Sequence, residues 1–446
     1  MTAPTQPLWT LAEVQRACGA ELNGTISGAA PISGFNIDSR RVQPGELFIA
    51  LPGNLSDRHF LSAVSERDGH DFVAAAAEAG ASAALVSTLQ SASCAQLVVE
   101  DTLDALWALG ATARSRLQGQ AVAVTGSSGK TTAKSFMAAA LSASASEGSL
   151  NNHLGVPLSL AATPRDARLA VFEVGTSSPG EIAPLARMVR PDVAVVLNVQ
   201  HAHIGQFPDQ AALRKEKLSL FEGLEEGGTA VLLDELARDW PQPTQLTFGL
   251  TPDADVRLIN VQGDQATYQL RGRTVAAHVP GGGAHRALTL GAVLATALAL
   301  EAEIEPALEL SDELIPRGRG NELLRGGVVL IDDSYNANPA SMSAALSALA
   351  ARQGGRKLAL LGEMLELGDE AGGHHESVAR QAAGLDRAWL VGAGWAQPDA
   401  ASADDALLDE VAGALNAGDH LLIKGSNKVF WAAGFVERLA GRLGDA

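Results

Sequence analysis

Short, wholly apolar runs alternate along this chain with segments whose apolar residues recur at helical spacing. In the centre the runs predict strands at Ala121 to Val124, Arg168 to Glu173, Val193 to Val199 and Thr229 to Leu233, with a closing helix over Ala287 to Ala302. In the last third they predict strands at Val328 to Ile331, Lys357 to Leu361, Ala388 to Val391 and His420 to Lys424, each followed by a helical segment. That regular alternation is the pattern of a doubly wound, Rossmann-like parallel sheet. The first hundred residues are mixed: a helix at Leu11 to Cys18, strands at Gly34 to Ile37 and Leu47 to Leu51, then a helix over Phe72 to Gly80 and a strand at Ala83 to Val86. An amphipathic helix, Thr102 to Leu117, marks a junction near residue 100. The expectation is an α/β chain of three domains: a small mixed domain over 1–100, a central domain over 101–315 and a C-terminal doubly wound domain over 316–446. Gly281 to Gly283 is either a linker or a tight loop inside the central domain.

The densest chemistry lies in VAVTGSSGKTT, Val122 to Thr132. A buried strand feeds a Gly/Ser turn that opens into a helix predicted over Lys130 to Leu141. Gly126 and Gly129 let the backbone approach an anion, and N–H groups around Ser127 and Ser128 and the helix dipole favour phosphate. Lys130 supplies a full positive charge for the outer phosphates, and the Thr131 hydroxyl, followed by Thr132, stands where Mg²⁺ needs a ligand. Val124 occupies the position where the general P-loop pattern has its first glycine. A nucleoside triphosphate is the expected ligand.

Composition narrows the classes. A net charge of −18 argues against nucleic-acid binding, and an anionic substrate must be met by locally placed cations and N–H groups. No apolar run is long and uncharged enough to span a bilayer, and the N-terminus lacks a basic n-region, so the expectation is a cytoplasmic protein. Cys18 and Cys94 are too few for a disulfide framework.

Further candidates stand at strand ends, where α/β sheets place ligands. Glu173 closes the run LAVFE; a carboxylate delivered by a buried strand calls for a metal or basic partner. His201 and His203 follow VAVVLNV without a zinc signature. Lys215 and Lys217 lie on a predicted helix and by themselves read as a solvated charged face. Asp332 and Asp333 end a strand, and Asn336, Ala337, Asn338 and Pro339 turn into a helix: a ribose or Mg²⁺ site, or an N-cap and turn cluster. Arg319 is a phosphate clamp or an exposed linker residue. Asp38, Ser39 and Arg40 fit a surface turn as well as a ligand site.

Taken together, TGSSGKTT, NNHLGVPLSL, FEVG, an Asn followed after four residues by His203, EKLSLF and GRGNE resemble, in order and over essentially the full chain, the ATP-dependent Mur ligases of peptidoglycan synthesis. DDSYNANPASM with LGEMLELGDE resembles the branch that adds D-alanyl-D-alanine to UDP-N-acetylmuramoyl-tripeptide. The resemblance implies an ATP-dependent carboxylate–amine ligase with two Mg²⁺ sites. Lys130, Glu173, His203 and Lys217 would be catalytic; Thr131, Glu173, His203 and Lys217, the last as a CO₂-derived carbamate, would hold metal. Gly126 to Thr132, Arg319 and Asp332 would meet ATP, Asp332 at the ribose. Asp38, Ser39 and Arg40 in the UDP-sugar domain, Asn151 and Asn152, and Asn336 and Asn338 would face substrate, and the C-terminal domain would close on ATP and the dipeptide. A monomer is expected. The sequence departs from the family at Thr289, at Thr176 to Ser178, at Asn427 and in an inserted stretch, Leu55 to Arg67. Other readings are a ligase of different acceptor, such as a folylpolyglutamate synthase, or a P-loop switch; a GTPase base motif is missing, because Val429 and Phe430 follow Asn427 and Lys428.

Overall fold

The computed structural model describes residues 7–53, 67–200, 204–240 and 244–444. The chain divides into two compact units, Met1–Thr125 with Leu141–Val195 and Leu218–Ala230, and Gly126–Ala140 with Val196–Lys217 and Val231–Ala446. The class is α/β.

The first unit starts with a helix whose ends are written in the sequence. Thr10 and Glu13 form a capping box ahead of Leu11–Cys18, and Gly19 closes it in the left-handed region at φ 64°. A five-stranded sheet follows in the order Glu21–Asn23, Ala95–Val98, Ala83–Val86, Leu47–Ile49, Phe35–Asn36, antiparallel in the first pair and parallel in the rest. The helix Thr102–Arg116, capped by Asp101, lies so close to Gly155–Ala161 that a Cβ on Gly110 would stand 2.8 Å from the Pro157 Cα. Beneath them Gln120–Thr125 and Leu169–Glu173 run parallel, with Ser144–Ala145 parallel beyond and Val193–Val196 on the other flank. Trp9 anchors the N-terminal strand: its indole donates to the Ala161 carbonyl at 2.8 Å, and the Arg116 guanidinium lies 3.4 Å over its ring.

In the second unit the helix Lys130–Ala140 packs beside Ala284–Ala299. An antiparallel meander, Val256–Gln262, Gln265–Leu270 and Arg273–His278, extends from Gln245–Gly249. The alternation of strand and helix does not anticipate these strands, because they are half-polar and joined by tight turns. The last sheet has the order Asn321–Arg325, Val328–Asp333, His420–Lys424, Lys357–Gly362, Arg387–Val391. Its four expected strands are parallel, but Asn321–Arg325 adds an antiparallel edge. Leu358 and Leu360 enter one core with Leu408, Val411 and Phe435, while Ala359 and Leu361 enter the other with Met342, Leu346 and Val378. Burial on both faces explains why the strand reads as an unbroken apolar run. Gly281 to Gly283 is a tight turn at φ 66°, 63° and 88°, not a linker.

Asn338 caps Pro339–Ala350: its carboxamide accepts from the Ser341 N–H at 2.9 Å, Ser341 completes the box, and Pro339 sits at the first turn. Asn338→Ala is expected to cost about 1 kcal/mol, read as a lowered urea midpoint; an unmoved midpoint refutes the cap's contribution. No helix among the described residues is long and apolar enough to cross a membrane.

Candidate active site

The phosphate-loop motif is built at the end of Gln120–Thr125, whose last five residues are buried. The turn is fastened by a segment that the loop pattern alone does not mark. Ser127 N–H donates to the Asn198 carbonyl at 3.2 Å and Ser128 N–H to Asn198 Oδ1 at 3.0 Å. The Ser127 hydroxyl donates to the Gln200 carbonyl at 3.0 Å, and the Ser128 hydroxyl to Gln200 Oε1, also at 3.0 Å. These two serine amides are therefore turned onto Asn198, where the motif suggested N–H groups aimed at phosphate. The anion-directed part is the N-terminus of Lys130–Ala140 and its dipole. Lys130 folds back to give its ammonium to the Gly126 carbonyl at 2.8 Å. Gly129 takes φ 81°, and a Cβ there would lie 3.3 Å from the Thr289 hydroxyl, so Thr289 packs against the loop. Asn198 and Gln200 had one sequence signal, polar residues alternating with Leu197 and Val199 just past the strand Val193–Val196.

Glu173 lies in register with Val124, at the same end of its strand as the loop, and is 1% exposed. Its carboxylate accepts from the Ser149 hydroxyl at 2.9 Å and the Asn151 amide at 2.7 Å. These neutral donors offset part of the cost of burying the charge. Asn151 thus orients Glu173, and Asn152 ties the turn that leads into the next helix, its Oδ1 accepting from the Leu154 and Gly155 N–H groups at 3.2 and 2.8 Å. Thr131 and Thr132 are buried in the first turn of their helix.

Lys215 and Lys217 part company on the helix Gln210–Leu218. Residues two apart do not share a helical face, so Lys215 is exposed while Lys217 is 1% exposed. The solvated-face reading holds for the first and fails for the second. His201, His203 and all of the inserted stretch Leu55 to Arg67 except Arg67 lie outside the described residues.

Asp332 is a strand residue, 2% exposed, held by the Ser334 hydroxyl and by the Gly318 N–H at 3.1 Å. Burial raises its carboxyl above the usual range, against the hydrogen bonds from Ser334. The Arg319 guanidinium lies 4.1 Å over the Tyr335 ring, which meets Trp431 edge-on at 5.3 Å. Lys424 pairs with Asp333 at 2.7 Å and donates to the Asn336 carbonyl at 3.1 Å. Asn336 Oδ1 accepts from the Ala337 N–H, and Asn338 is committed to its cap, so the turn-and-cap reading describes both side chains here. His285 is exposed at the surface, and desolvation by its neighbours together with the Arg286 and Lys424 cations lowers its imidazole below the ordinary range.

Far from these residues in sequence, Asp38 caps Ser39–Arg41 and is paired with Arg40 at 2.7 Å, an arginine whose side chain is 86% exposed. That Arg40 pair holds the Asp38 carboxyl below its ordinary range. Locally this is the surface turn. Among the described residues no group of three or more His, Cys, Asp or Glu side chains converges as a metal site.

Loop, strand ends and doubly wound sheet define a P-loop α/β enzyme of the nucleotide-dependent class. Residues 124–297 match the Mur ligase middle domain and residues 318–427 the Mur ligase glutamate ligase domain. The chain is 34% identical over 393 residues to the UDP-N-acetylmuramoyl-tripeptide–D-alanyl-D-alanine ligase of Escherichia coli, covering 83% of this chain and 84% of that one. A crystal structure of MurF from Acinetobacter baumannii superimposes with a TM-score of 0.79 at 28% identity, covering 97% of this chain and 99% of that chain. The MurF ligase of Thermotoga maritima in complex with ADP gives 0.75 at 27% identity, covering 92% and 97%. The chain belongs to the Mur ligase family and is an ATP-dependent ligase.

Proposed function

We propose that this ligase joins D-alanyl-D-alanine to UDP-N-acetylmuramoyl-tripeptide, yielding the UDP-linked pentapeptide, ADP and phosphate. The observation that carries the reading is the likeness, over most of both chains, to a ligase named for that reaction, with the phosphate loop and its lysine intact. The terminal carboxylate of the tripeptide attacks the γ-phosphorus, the bond to the ADP oxygen breaks, and an acyl phosphate forms. The dipeptide amine then attacks the acyl carbon, phosphate leaves with the bonding pair, and the amine loses its proton.

Both partners of the first step are anionic, so charge neutralisation and alignment dominate. Lys130, at the N-terminus of its helix, offers the outer phosphates a cation that is already held by the Gly126 carbonyl. Glu173 and Thr131 are hard oxygen donors of the kind that suits Mg²⁺, which takes few protein ligands and keeps water and phosphate oxygens for the rest. When bound, Mg²⁺ neutralises phosphate charge. Lys217 is proposed to take up CO₂ as a carbamate, its amine losing a proton as the N–C bond forms, which would turn a buried cation into an anionic oxygen ligand for a second Mg²⁺ with His203. Arg319 and Asp332 are the proposed nucleotide contacts of the 316–446 domain, residues 101–315 form the ATP domain, and residues 1–100 bind the UDP-sugar.

Purified protein with ATP, UDP-tripeptide and a panel of amines should release phosphate only when both co-substrates are present. The product mass should equal the tripeptide plus D-alanyl-D-alanine less water. ATP turnover indifferent to both co-substrates would sink the proposal.

A further inference from the structure

We propose that Arg286 is a positioning residue that sets the segment Arg317 to Gly320, and through it Arg319 and Asp332, for nucleotide binding. The proposal rests on the assignment of those two residues to the nucleotide.

One guanidinium bridges two stretches of backbone. Nη1 donates to the Gly281 carbonyl at 2.7 Å and lies 3.4 Å from that of Gly282; Nη2 donates to the Arg319 carbonyl at 3.1 Å and the Gly320 carbonyl at 3.2 Å. A planar fork spans both sets at once, which a lysine ammonium on a flexible stem does not do. The glycines are shaped to receive it. A Cβ on Gly320 would lie 2.1 Å from Nη2, and one on Gly281 2.7 Å from Nη1. Both residues also have positive φ, 86° and 66°, so each serves the turn and the arginine together.

The held segment reaches the proposed nucleotide contacts on both sides. Gly318 N–H donates to Asp332 Oδ2 at 3.1 Å, and Gly320 N–H to the Asp332 carbonyl at 2.6 Å. Between these glycines, Arg319 carries its guanidinium over Tyr335. Fixing the carbonyls of 319 and 320 therefore fixes where Arg319 starts and how Asp332 is bracketed. Hydrogen bonds from a charged donor each contribute about 1.5 to 3 kcal/mol, more than the neutral bonds within the turn.

The test compares wild type with Arg286→Met, Arg286→Lys and Gly320→Ala. Amide hydrogen exchange of 316–321 is measured without nucleotide, and ADP affinity by calorimetry. All three variants should exchange faster in that segment and bind ADP on the order of tenfold more weakly, the equivalent of one strong hydrogen bond. The KM for UDP-tripeptide should not move. If Arg286→Met fails to fold, Arg286→Lys and Gly320→Ala carry the test, since each keeps a cation in place while disturbing the fork. Unchanged exchange overturns the proposal, as does faster exchange with unchanged ADP affinity. Absence of ligase activity in the wild type would instead overturn the proposed reaction, because neither the exchange nor the ADP measurement depends on it.

Discussion

Lys130→Met is expected to lower kcat on the order of 10³-fold while the protein stays folded, because it deletes the cation proposed to meet the outer phosphates. In the resting structure the ammonium donates to the Gly126 carbonyl at 2.8 Å, a charged-donor hydrogen bond worth about 1.5 to 3 kcal/mol. Methionine keeps the length of the stem, so the loop should hold its shape, which Asn198 and Gln200 fix independently. The effect should therefore appear in turnover and ATP affinity and leave the melting temperature within a few degrees. Phosphate release under saturating tripeptide and dipeptide is the measurement, beside a thermal melt. Near wild-type kcat would show that the loop lysine is not the charge the γ-phosphate meets.

The phosphate loop was legible because its chemistry is local: a buried strand, two glycines, a lysine and a threonine in one short stretch. The doubly wound sheet was legible for a related reason, since strands such as Lys357–Gly362 feed two cores and lose their polar face. What stayed hidden depends on partners distant in sequence. Asn198 and Gln200 look like ordinary loop residues until they close on Ser127 and Ser128. The antiparallel edge Asn321–Arg325 alternates exposed and half-buried positions and so gives no apolar run. Asn338 satisfied two readings in sequence, and only its hydrogen bonds assign it to a helix cap. The Arg286 fork needs both the Gly281 turn and the segment around Gly320, so neither stretch announces it alone.

Lys217→Ala is expected to remove most ligase activity, on the order of 10³-fold in kcat, and to regain part of it when formate or acetate is added. The reasoning begins from burial. Lys217 is 1% exposed, whereas Lys215, two residues earlier on the same helix, faces solvent, so the pair supplies its own control. Lys215→Ala should leave turnover unchanged and shift stability by no more than about 0.5 kcal/mol. Truncating Lys217 leaves a cavity, with a stability cost of about 2 to 4 kcal/mol if the surroundings do not collapse. That cavity is also what gives a small carboxylate room to stand where the carbamate oxygens are proposed. Lys217→Met fills the same volume without an amine, so it should lose activity as Lys217→Ala does and show no rescue. Rescue in the alanine variant alone, absent with chloride at equal ionic strength, separates a missing anionic ligand from a damaged fold. Wild-type turnover in Lys217→Ala would refute the carbamate, and equal rescue of both variants would reduce the carboxylate effect to one of general salt.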